Sequence, residues 1–418
     1  MTPETDSETV RITDAIGIGV LTRIFRRDLV DEVIASCGRR EVRSRLLPAR
    51  VVVYYVLCLT LFYGDAYEEV MRKLVGGLKF LRNWSYEWKV PSTSAISQAR
   101  TRLGEEPMQE MFRRVAVPVA GPGAKGAWYH GLRVMSIDGV VLDVPDTPEN
   151  AAEFARSGNN LADSPYPQLR VVGLAECGTR AMVAAVIGST KQGERELTLQ
   201  LLADFQPGQL ILADRGFYSY DLWKQCIPTG ADFLWRMVQK IDLPAKEILP
   251  DGSYLTSVAP RHMRSDIKRG KMRRIDLYEY PIRMIEYTIP NRTAKGEPEV
   301  VRLATTLLDW KQAPAVELAA LYHERWEFEI GLDEIETHQL GHPRVLRSRT
   351  PTLVRQEVWA LLLTHYAIRA FMSEAADDID QDPDRLSFVR SLRVIRRQVT
   401  DQAGFSPSDP DPGDNTSH

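Results

Sequence analysis

The sequence predicts a multidomain α/β protein, and three observations support this prediction. Apolar residues in the first 120 positions recur at three- and four-residue steps, which is the period of a buried helical face. From Leu132 onward, short runs rich in β-branched residues precede helical segments and then alternate with them, as in a mixed sheet covered by helices. Between residues 239 and 300 this alternation gives way to prolines, glycines and short strand-like runs, which indicates a β-rich insertion.

The amino-terminal domain, residues 1–125, is predicted to be all-helical. The run from Pro48 to Phe62 is almost wholly apolar and predicts a buried helix. A shorter helix is expected to start after the hydroxyl-rich segment that follows Pro91 and to stop at Gly104. A small helical unit with such a capped helix resembles the layout of a helix-turn-helix DNA reader, in which Gln98 and Arg100 are candidate DNA contacts. An ordinary helical subdomain with a polar surface is the alternative interpretation.

The first part of the core, residues 126–238, is predicted to begin with strands. Arg133 to Asp138 reads as one strand, and Val140 to Val144 reads as its partner after a turn at Gly139. The pattern then predicts strands at 168–174 and 181–187, a helix at 194–205, a strand at 209–213, a helix at 218–227 and a strand at 231–237.

The insertion, residues 239–300, contains a strongly basic segment. Seven of the fourteen residues from Arg261 to Arg274 are lysine or arginine, so Arg269, Lys271 and Arg273 are candidate contacts to DNA phosphates. A solvated charged hairpin is the alternative. The second part of the core, residues 301–375, is predicted as a strand at 301–308 and helices at 314–339 and 352–375. The acidic tail, residues 376–418, is expected to be partly disordered apart from one amphipathic helix at 385–399.

Composition narrows the class of protein. The four cysteines are too widely spaced for a zinc knuckle or a redox pair, and the first ten residues are unlike a secretion signal. The longest mostly apolar run, Val51 to Tyr63, is shorter than the ~20 residues of a membrane helix. We therefore expect a soluble intracellular protein. The net charge of −3 does not exclude nucleic acid as a partner, because ten acidic residues lie in the last part of the chain, from Ser373 onward.

Three acidic residues are candidates for catalysis. Asp138 ends one predicted apolar strand and Asp214 ends another, and a glycine follows each of them closely. Carboxylates at strand ends lie where α/β sheets hold their ligands, although a lone Asp there is often only a turn cap. A third carboxylate has to come from a helix. At 100° per residue, Tyr322, Arg325, Glu329 and Glu336 share one helical face within about 60°. A simple surface ion pair between Arg325 and Glu329 is the alternative.

These motifs together resemble the DDE transposases of bacterial insertion sequences, specifically the subgroup with a Tyr-Arg-Glu-Lys signature. The resemblance rests on S-I-D-G at 136–139, L-I-L-A-D-R-G-F-Y at 210–218 and L-Y-H-E-R-W-E-F-E at 321–329. In the signature, Tyr322, Arg325 and Glu329 match in residue type and spacing, while Glu336 stands in the lysine position. The resemblance extends from about residue 12 to residue 372 and includes the helical amino-terminal unit and the insertion.

The resemblance implies an RNase H-like catalytic core in which Asp138, Asp214 and Glu329 converge on two Mg²⁺ ions, with Mn²⁺ as a substitute. It implies strand cutting and joining at element ends by phosphodiester hydrolysis and transesterification, in a cut-and-paste reaction. Tyr322 and Arg325, with Arg215 as a weaker candidate, are expected to hold DNA phosphates. The implied partners are terminal inverted repeats and target DNA, bound by a homodimer on the bacterial nucleoid. No membrane or nucleotide partner is expected, since no phosphate-loop motif is present.

Glu336 keeps a second hypothesis open. A carboxylate in the lysine position would repel phosphate, which favours a catalytically weakened, transposase-derived protein that only binds DNA. A metal-free hydrolase that uses paired carboxylates, such as a glycosidase, is a third hypothesis; it predicts activity in EDTA and no affinity for DNA.

Overall fold

The computed structural model describes residues 18–41, 47–76, 90–156, 158–159, 162–241, 243–260, 269–270, 280–290, 298–341 and 345–400. In the amino-terminal part these contain a short 3₁₀ helix, Gly19–Arg23, and five α-helices. The helices are α1 (Arg27–Ser36), α2 (Ala49–Leu61), α3 (Tyr67–Gly76), α4 (Thr93–Leu103) and α5 (Glu106–Val115). The prediction of an all-helical amino-terminal region is confirmed for these residues.

Helix α2 forms the centre of this helical unit because its sequence is apolar on every face. Every residue from Val51 to Leu61 is buried. The helix packs against the long helix α11 (Pro351–Asp377) from the far end of the chain, and Thr60 Oγ1 lies 3.0 Å from Thr364 Oγ1 between them. The amino-terminal unit and the carboxyl-terminal part of the core therefore share one hydrophobic interior.

A mixed central sheet dominates the rest of the described chain. Its principal strands are β2 (Leu132–Asp143), β5 (Gln168–Glu176), β6 (Met182–Ser189), β7 (Gln209–Ala213), β8 (Asp232–Arg236), β9 (Glu247–Ile248), β10 (Tyr254–Val258), β11 (Tyr280–Ile289) and β12 (Glu299–Thr305). They lie in the order β6-β5-β2-β7-β8-β12-β11-β10-β9, and the short β1 (Trp128–Tyr129) pairs with β2. Strands β2, β7 and β8 are parallel, and the other pairings are antiparallel. Strands β3 (Gly158–Asn159) and β4 (Ala162–Asp163) form a separate hairpin.

The predicted turn at Gly139 is wrong. Strand β2 continues through this glycine to Asp143, and Gly139 pairs with Val172 of β5. The backbone stays extended at Gly139 because strand β5 pairs with β2 on both sides of this glycine. As a result Asp138 lies within a long strand, level with the point where the neighbouring strand β7 ends.

The described strands of the insertion extend the central sheet. Strand β12 pairs with β8 of the core, and β11, β10 and β9 add outward from it in antiparallel steps. The segment is thus β-rich as predicted, but its strands continue the core sheet and do not form a sheet of their own.

Helices cover both faces of the sheet. On one face lie α7 (Glu194–Thr198), the 3₁₀ turn Leu199–Asp204 and α8 (Tyr220–Cys226). On the other lies a continuous helical run from residue 315 to 340, which comprises α9 (Ala315–Leu321), a 3₁₀ turn (Tyr322–Arg325), α10 (Trp326–Asp333) and a π-helix (Glu334–Leu340). Helix α6 (Pro148–Phe154) and the final helix α12 (Phe388–Thr400) also belong to the core and tail, and 3₁₀ turns lie at Ile227–Thr229 and Pro383–Arg385. No helix in the described ranges is long and apolar enough to cross a bilayer.

Candidate active site

Asp138 and Asp214 lie next to each other on adjacent parallel strands. The residues before them, Ile137 and Ala213, are paired across β2 and β7. Because side chains alternate across a strand and register partners share a face, both aspartates point to the same side of the sheet. Val134 lies four positions before Asp138 and Leu212 lies two positions before Asp214, so each shares a sheet face with its aspartate. Both pack into the apolar cluster under helix α9. Both candidate carboxylates therefore face the helical run that carries Glu329.

Tyr322 fastens this helical run to the end of β7. It is 7% exposed, and its hydroxyl donates a hydrogen bond to the carbonyl oxygen of Ala213 at 3.2 Å. Burial raises the pKa of the phenol, so it remains a donor. The segment from Tyr322 to Arg325 is tightened into 3₁₀ geometry, which departs from the uniform α-helix expected from the sequence. In this structure Tyr322 is an anchor for the backbone beside Asp214.

Arg325 connects two of the three candidate carboxylates. Its Nη1 donates a hydrogen bond to Asp138 Oδ2 at 2.9 Å, and its Nη2 donates to Glu329 Oε1 at 2.7 Å. The arginine is 7% exposed, so it is held in a largely dry position between the sheet and the helix. Charge-assisted bonds of this kind are short and strong. The predicted proximity of Arg325 and Glu329 is present, but it is part of a three-residue arrangement and not a simple surface pair.

Asp138 is in an environment that disfavours its charge. Burial raises its pKa to about 6, against the opposing effects of the Gly139 backbone amide and the Arg325 guanidinium. The Gly139 amide donates a hydrogen bond to Asp138 Oδ1 at 2.8 Å. Perturbed carboxyl pKa values of this kind cluster at functional sites, although structural ion pairs also produce them.

Asp214 has an unsatisfied acceptor. Its Oδ1 is buried and has no hydrogen-bond partner among the described residues. The nearest cation in an ion pair is Arg236 Nη1, at 4.0 Å, and Arg236 also pairs with Glu299. An orphaned carboxylate oxygen costs free energy unless something binds it. The position suits a cation ligand.

The donor set fits a hard divalent cation in its chemistry. Asp138, Asp214 and Glu329 supply only carboxylate oxygens, which Mg²⁺ prefers, and Asp214 Oδ1 is free to bind. Within the described part of the chain, no three acidic, histidine or cysteine side chains are grouped closely enough to hold a metal ion. Between Asp138 and Glu329 the positive charge is supplied by Arg325.

A fourth carboxylate lies beside the two glycines of the motifs. Glu194, at the start of α7, reaches the end of β7 from the opposite face of the sheet. A Cβ atom placed on Gly139 would lie 2.9 Å from Glu194 Oε1, and one on Gly216 would lie 3.8 Å from Oε2. The neighbouring Arg195 donates from Nε to the carbonyl oxygen of Gly216 at 2.7 Å, which ties α7 to the loop after Asp214. The sequence analysis did not identify Glu194 as a residue of the site. The glycine that closely follows each aspartate was the available signal, because it leaves room for another side chain.

Glu336 is turned towards apolar residues. It belongs to the π-helix and lines a small cavity with Val140 and Leu142 of β2 and Leu361 of α11. The wider π turn interrupts the regular 100° spacing on which its predicted alignment with Glu329 was based. The Glu336 side chain is half-buried. The cavity that it lines is on the sheet face to which Asp138 points, because Val140, Leu142 and Asp138 alternate along β2.

Five further candidate DNA contacts differ in what the structure describes of them. Arg215, Arg269 and Gln98 are exposed, so their side chains are accessible to a large ligand. Lys271 and Arg273 lie outside the described residues.

The prediction for Arg100 is corrected by the structure. Its side chain is 0% exposed, and its guanidinium donates hydrogen bonds to Gln356 Oε1, the Tyr67 hydroxyl and Ser348 Oγ, each at 2.9 Å. A guanidinium enclosed in this way cannot reach DNA, so Arg100 joins α4 to α11 and does not contact the substrate.

The mixed sheet, the helices on its two faces and the carboxylates level with the end of β7 define an RNase H-like α/β protein with a helical amino-terminal region. Comparison with known proteins gives the family. Residues 15–113 match the model of the insertion element 4 transposase amino-terminal region, and residues 129–366 match that of the transposase DDE domain. The chain belongs to the DDE transposases of insertion sequences, of the IS4 type, and acts as an insertion-sequence transposase.

Two transposases of Escherichia coli are similar to this chain in sequence. The chain is 30% identical over 383 residues to the transposase InsG for insertion sequence element IS4 of Escherichia coli (strain K12), covering 91% of this chain and 82% of that protein. It is 28% identical over 219 residues to the putative transposase InsZ of the same strain, covering 51% of this chain and 70% of that protein. A solved piggyBac transposase synaptic complex with hairpin DNA matches 91% of this chain and 79% of that chain, with 10% identity and a TM-score of 0.49.

Proposed function

We propose that Asp138, Asp214 and Glu329 form the catalytic, metal-binding site with which this transposase cuts and joins DNA strands. The observation that carries the proposal is the placement of the three acids. The two aspartates directly follow the register partners Ile137 and Ala213 and face the same side of the sheet. Arg325 bonds both Asp138 and Glu329 across the gap between sheet and helix. Mg²⁺ is the proposed ion, with Mn²⁺ as a substitute, because all three ligands are carboxylates.

The residues of the chain have separate tasks in this proposal. Tyr322 holds the catalytic helix against the end of β7, so that Glu329 keeps its position relative to Asp214. Arg325 is the shared counter-ion of Asp138 and Glu329 in the free protein, and we propose that its guanidinium binds a DNA phosphate when those carboxylates bind metal instead. Divalent ions, when bound at such a site, activate the attacking water or 3′-hydroxyl and stabilise the leaving oxygen.

The proposed substrates are the terminal inverted repeats of an insertion sequence and its target DNA, joined in a cut-and-paste reaction. Two element ends have to be held together during such a reaction, so we propose a homodimer as the active species, working on the bacterial nucleoid. Arg215, Arg269 and Gln98 are exposed and remain proposed DNA contacts. Lys271 and Arg273 remain proposed contacts on the basis of the basic run in the sequence alone.

Replacing Asp214 tests the proposal. The Asp214→Asn variant is expected to lose cleavage of a duplex carrying an element end by about 10³-fold or more, with unchanged affinity for that duplex. The matched control is Asp221→Asn, which removes an exposed carboxylate on α8 nearby in sequence and should cleave normally. Normal cleavage by the Asp214→Asn variant would remove Asp214 from the site.

A second candidate function is DNA binding without catalysis, and Glu336 is the observation that favours it. A carboxylate stands here in the signature lysine position, on a cavity lined by Val140 and Leu142 of β2, and so supplies no positive charge for a DNA phosphate. Incubating the pure protein with element ends and Mg²⁺ or Mn²⁺ separates the two functions. A clear gel shift with intact DNA would support binding alone, whereas cut ends would support the transposase reaction.

A further inference from the structure

The final described helix, α12, has a pronounced division between an apolar face and a basic face. Its thirteen residues include four arginines and no acidic residue. Phe388, Leu392, Ile395 and Val399 are buried and pack the helix onto α3, α11 and the 3₁₀ helix at Gly19–Arg23. This packing fixes which side of α12 faces solvent.

The four arginines divide into one internal tether and three exposed side chains. Arg396 is half-buried, and its Nε donates a hydrogen bond to the carbonyl oxygen of Leu61 on α2. Arg390, Arg393 and Arg397 are exposed. Across the part of the chain that the structure describes, none of these three guanidinium groups has an ion-pair or hydrogen-bond partner. Most other exposed arginines in the helices are paired, for example Arg72 with Glu69 and Arg113 with Glu110.

The three unpaired arginines form one row. At 100° per residue, Arg390, Arg393 and Arg397 lie within about 60° of one another around α12. With a rise of 1.5 Å per residue, the row is about 10 Å long. A strand of duplex DNA carries one phosphate per about 3.4 Å of helix axis, so a row of this length can reach more than one phosphate of the same strand.

The row is held rigidly at both ends of the helix. Near its start, the ring of Phe388 lies 5.4 Å from the ring of His365 of α11. Near its end, the backbone of Gly19 passes so close that a Cβ atom there would lie 2.8 Å from the carbonyl carbon of Gln398. Gly19 also has a φ of +62°, a conformation that favours glycine, which permits this close approach. A fixed row of cations loses little conformational freedom when it binds a regular array of charges.

We propose that the arginine row of α12, formed by Arg390, Arg393 and Arg397, is a docking surface for the phosphate backbone of duplex DNA. The proposal deepens the proposed function, since it rests on DNA being the substrate, and it adds a surface that lies outside the three catalytic carboxylates. We expect the row to contact phosphates and not to read bases, because phosphate contacts position a protein on the duplex and carry no sequence information. The surface therefore contributes equally to element ends and to unrelated duplexes.

The salt dependence of binding tests this surface. A variant with Arg390→Ala, Arg393→Ala and Arg397→Ala is compared with the wild-type full chain on a random-sequence duplex, by fluorescence anisotropy between about 50 and 200 mM NaCl. Since each neutralised phosphate adds about 0.9 to the slope of log K against log salt, we expect the slope to fall in magnitude by about 2 to 3. Affinity at the lowest salt should fall by at least tenfold.

The matched control carries the same loss of charge elsewhere. It combines Arg26→Ala, Arg72→Ala and Arg113→Ala, three exposed helix or cap arginines that are already paired with carboxylates. This control should keep the wild-type slope. Equal slopes for the α12 variant and the wild type would overturn the proposal. This result is expected if the row binds the acidic residues at 401–418 and not DNA. Equal reductions in both variants would also overturn it, because general charge and not the row would then be responsible.

Failure of this inference is distinguishable from failure of the proposed function. The anisotropy measurement uses binding without metal, whereas the Asp214→Asn experiment measures cleavage. If the α12 variant keeps the wild-type salt slope and the Asp214→Asn variant does not cleave, only the docking surface is refuted. If the slope of the α12 variant falls and the Asp214→Asn variant still cleaves, only the catalytic assignment is refuted. Thermal unfolding of the α12 variant, expected to match the wild type because only exposed side chains change, excludes loss of folding as the cause.

Discussion

The guanidinium of Arg325 lies 2.9 Å from the carboxylate of Asp138, across the gap between the central sheet and the catalytic helix. The same arginine also bonds Glu329. Two carboxylates that we assign to a metal site thus share one cation of the chain itself as a counter-ion. In the absence of metal, this arrangement keeps like charges from destabilising the fold.

Replacing Arg325 should make stability depend more strongly on metal. In the Arg325→Gln variant, Asp138 and Glu329 lose their shared counter-ion, so we expect a loss of about 2 kcal/mol in the free energy of unfolding without metal. This value is below that for a fully buried pair because the Glu329 side chain is 37% exposed. Added Mg²⁺ should raise the Tm of this variant more than that of the wild type. The control is Arg215→Gln, which alters an exposed arginine beside Asp214. Identical Mg²⁺-induced shifts in all three proteins would argue against a counter-ion role.

The affinity for metal should fall in acid. Burial raises the pKa of Asp138 to about 6, so the folded protein keeps this proton at pH values where the unfolded chain has lost it. This carboxyl therefore favours folding at acid pH, and that contribution is lost as the pH rises through about 6. A cation needs the deprotonated form, so Mn²⁺ affinity is expected to fall about tenfold per pH unit below about 6. Calorimetry at about pH 5 and about pH 7 in two buffers of different ionisation enthalpy measures both affinity and proton release. Equal affinities without proton release at the lower pH would contradict the assignment of Asp138.

Glu194 should contribute to the charge of the site without being essential. Its negative charge adds to the effects that raise the pKa of Asp138, and its carboxylate lies beside Gly139. The Glu194→Gln variant keeps the shape but removes the charge, so we expect a cleavage rate reduced by about tenfold and a lower pKa for Asp138. Carboxyl chemical shifts of Asp138 during a pH titration measure the second effect. The nearby Glu196→Gln change, on the same short helix, is the control; an effect of equal size there would show that α7 acts only through general charge.

Arg100 should matter for stability and not for DNA affinity. Its buried guanidinium bonds Gln356, Tyr67 and Ser348, so Arg100→Met leaves these polar partners unsatisfied and should lower the free energy of unfolding by about 3 kcal/mol. The exposed Gln98→Ala change two residues earlier should alter stability by less than about 0.5 kcal/mol. Urea unfolding gives the stability, and anisotropy below the unfolding transition gives the DNA affinity. A folded Arg100→Met protein with much weaker DNA binding would restore the original prediction for this residue.

Much of the fold was predictable because the local pattern and the final environment agree. The helical amino-terminal region, the strand at Gln209–Ala213 and the amphipathic helix α12 all follow from periodicity, and their observed bounds differ from the predicted ones by a few residues. The positions of Asp138, Asp214 and Glu329 on a strand, a strand end and a helix were likewise predictable, since each lies in a motif with a distinct local pattern.

The errors arose where distant parts of the chain decide the outcome. Gly139 has the local pattern of a turn, yet its pairing with Val172 of β5 keeps β2 extended. Arg100 is polar in a helix with a polar surface, yet its partners Gln356 and Ser348 lie about 250 residues further along the chain and enclose it. Glu194 comes from the opposite face of the sheet, so no spacing within one motif indicates it.

Metal binding by single variants shows whether the three carboxylates act together as a metal site. Mn²⁺ binding is measured by electron paramagnetic resonance for the wild type and for Asp138→Asn, Asp214→Asn and Glu329→Gln at neutral pH. We predict that each change weakens the tightest Mn²⁺ site by at least tenfold and that the exposed-site control Asp221→Asn leaves it unchanged. Undiminished Mn²⁺ binding in all three variants would mean that these carboxylates do not form a metal site.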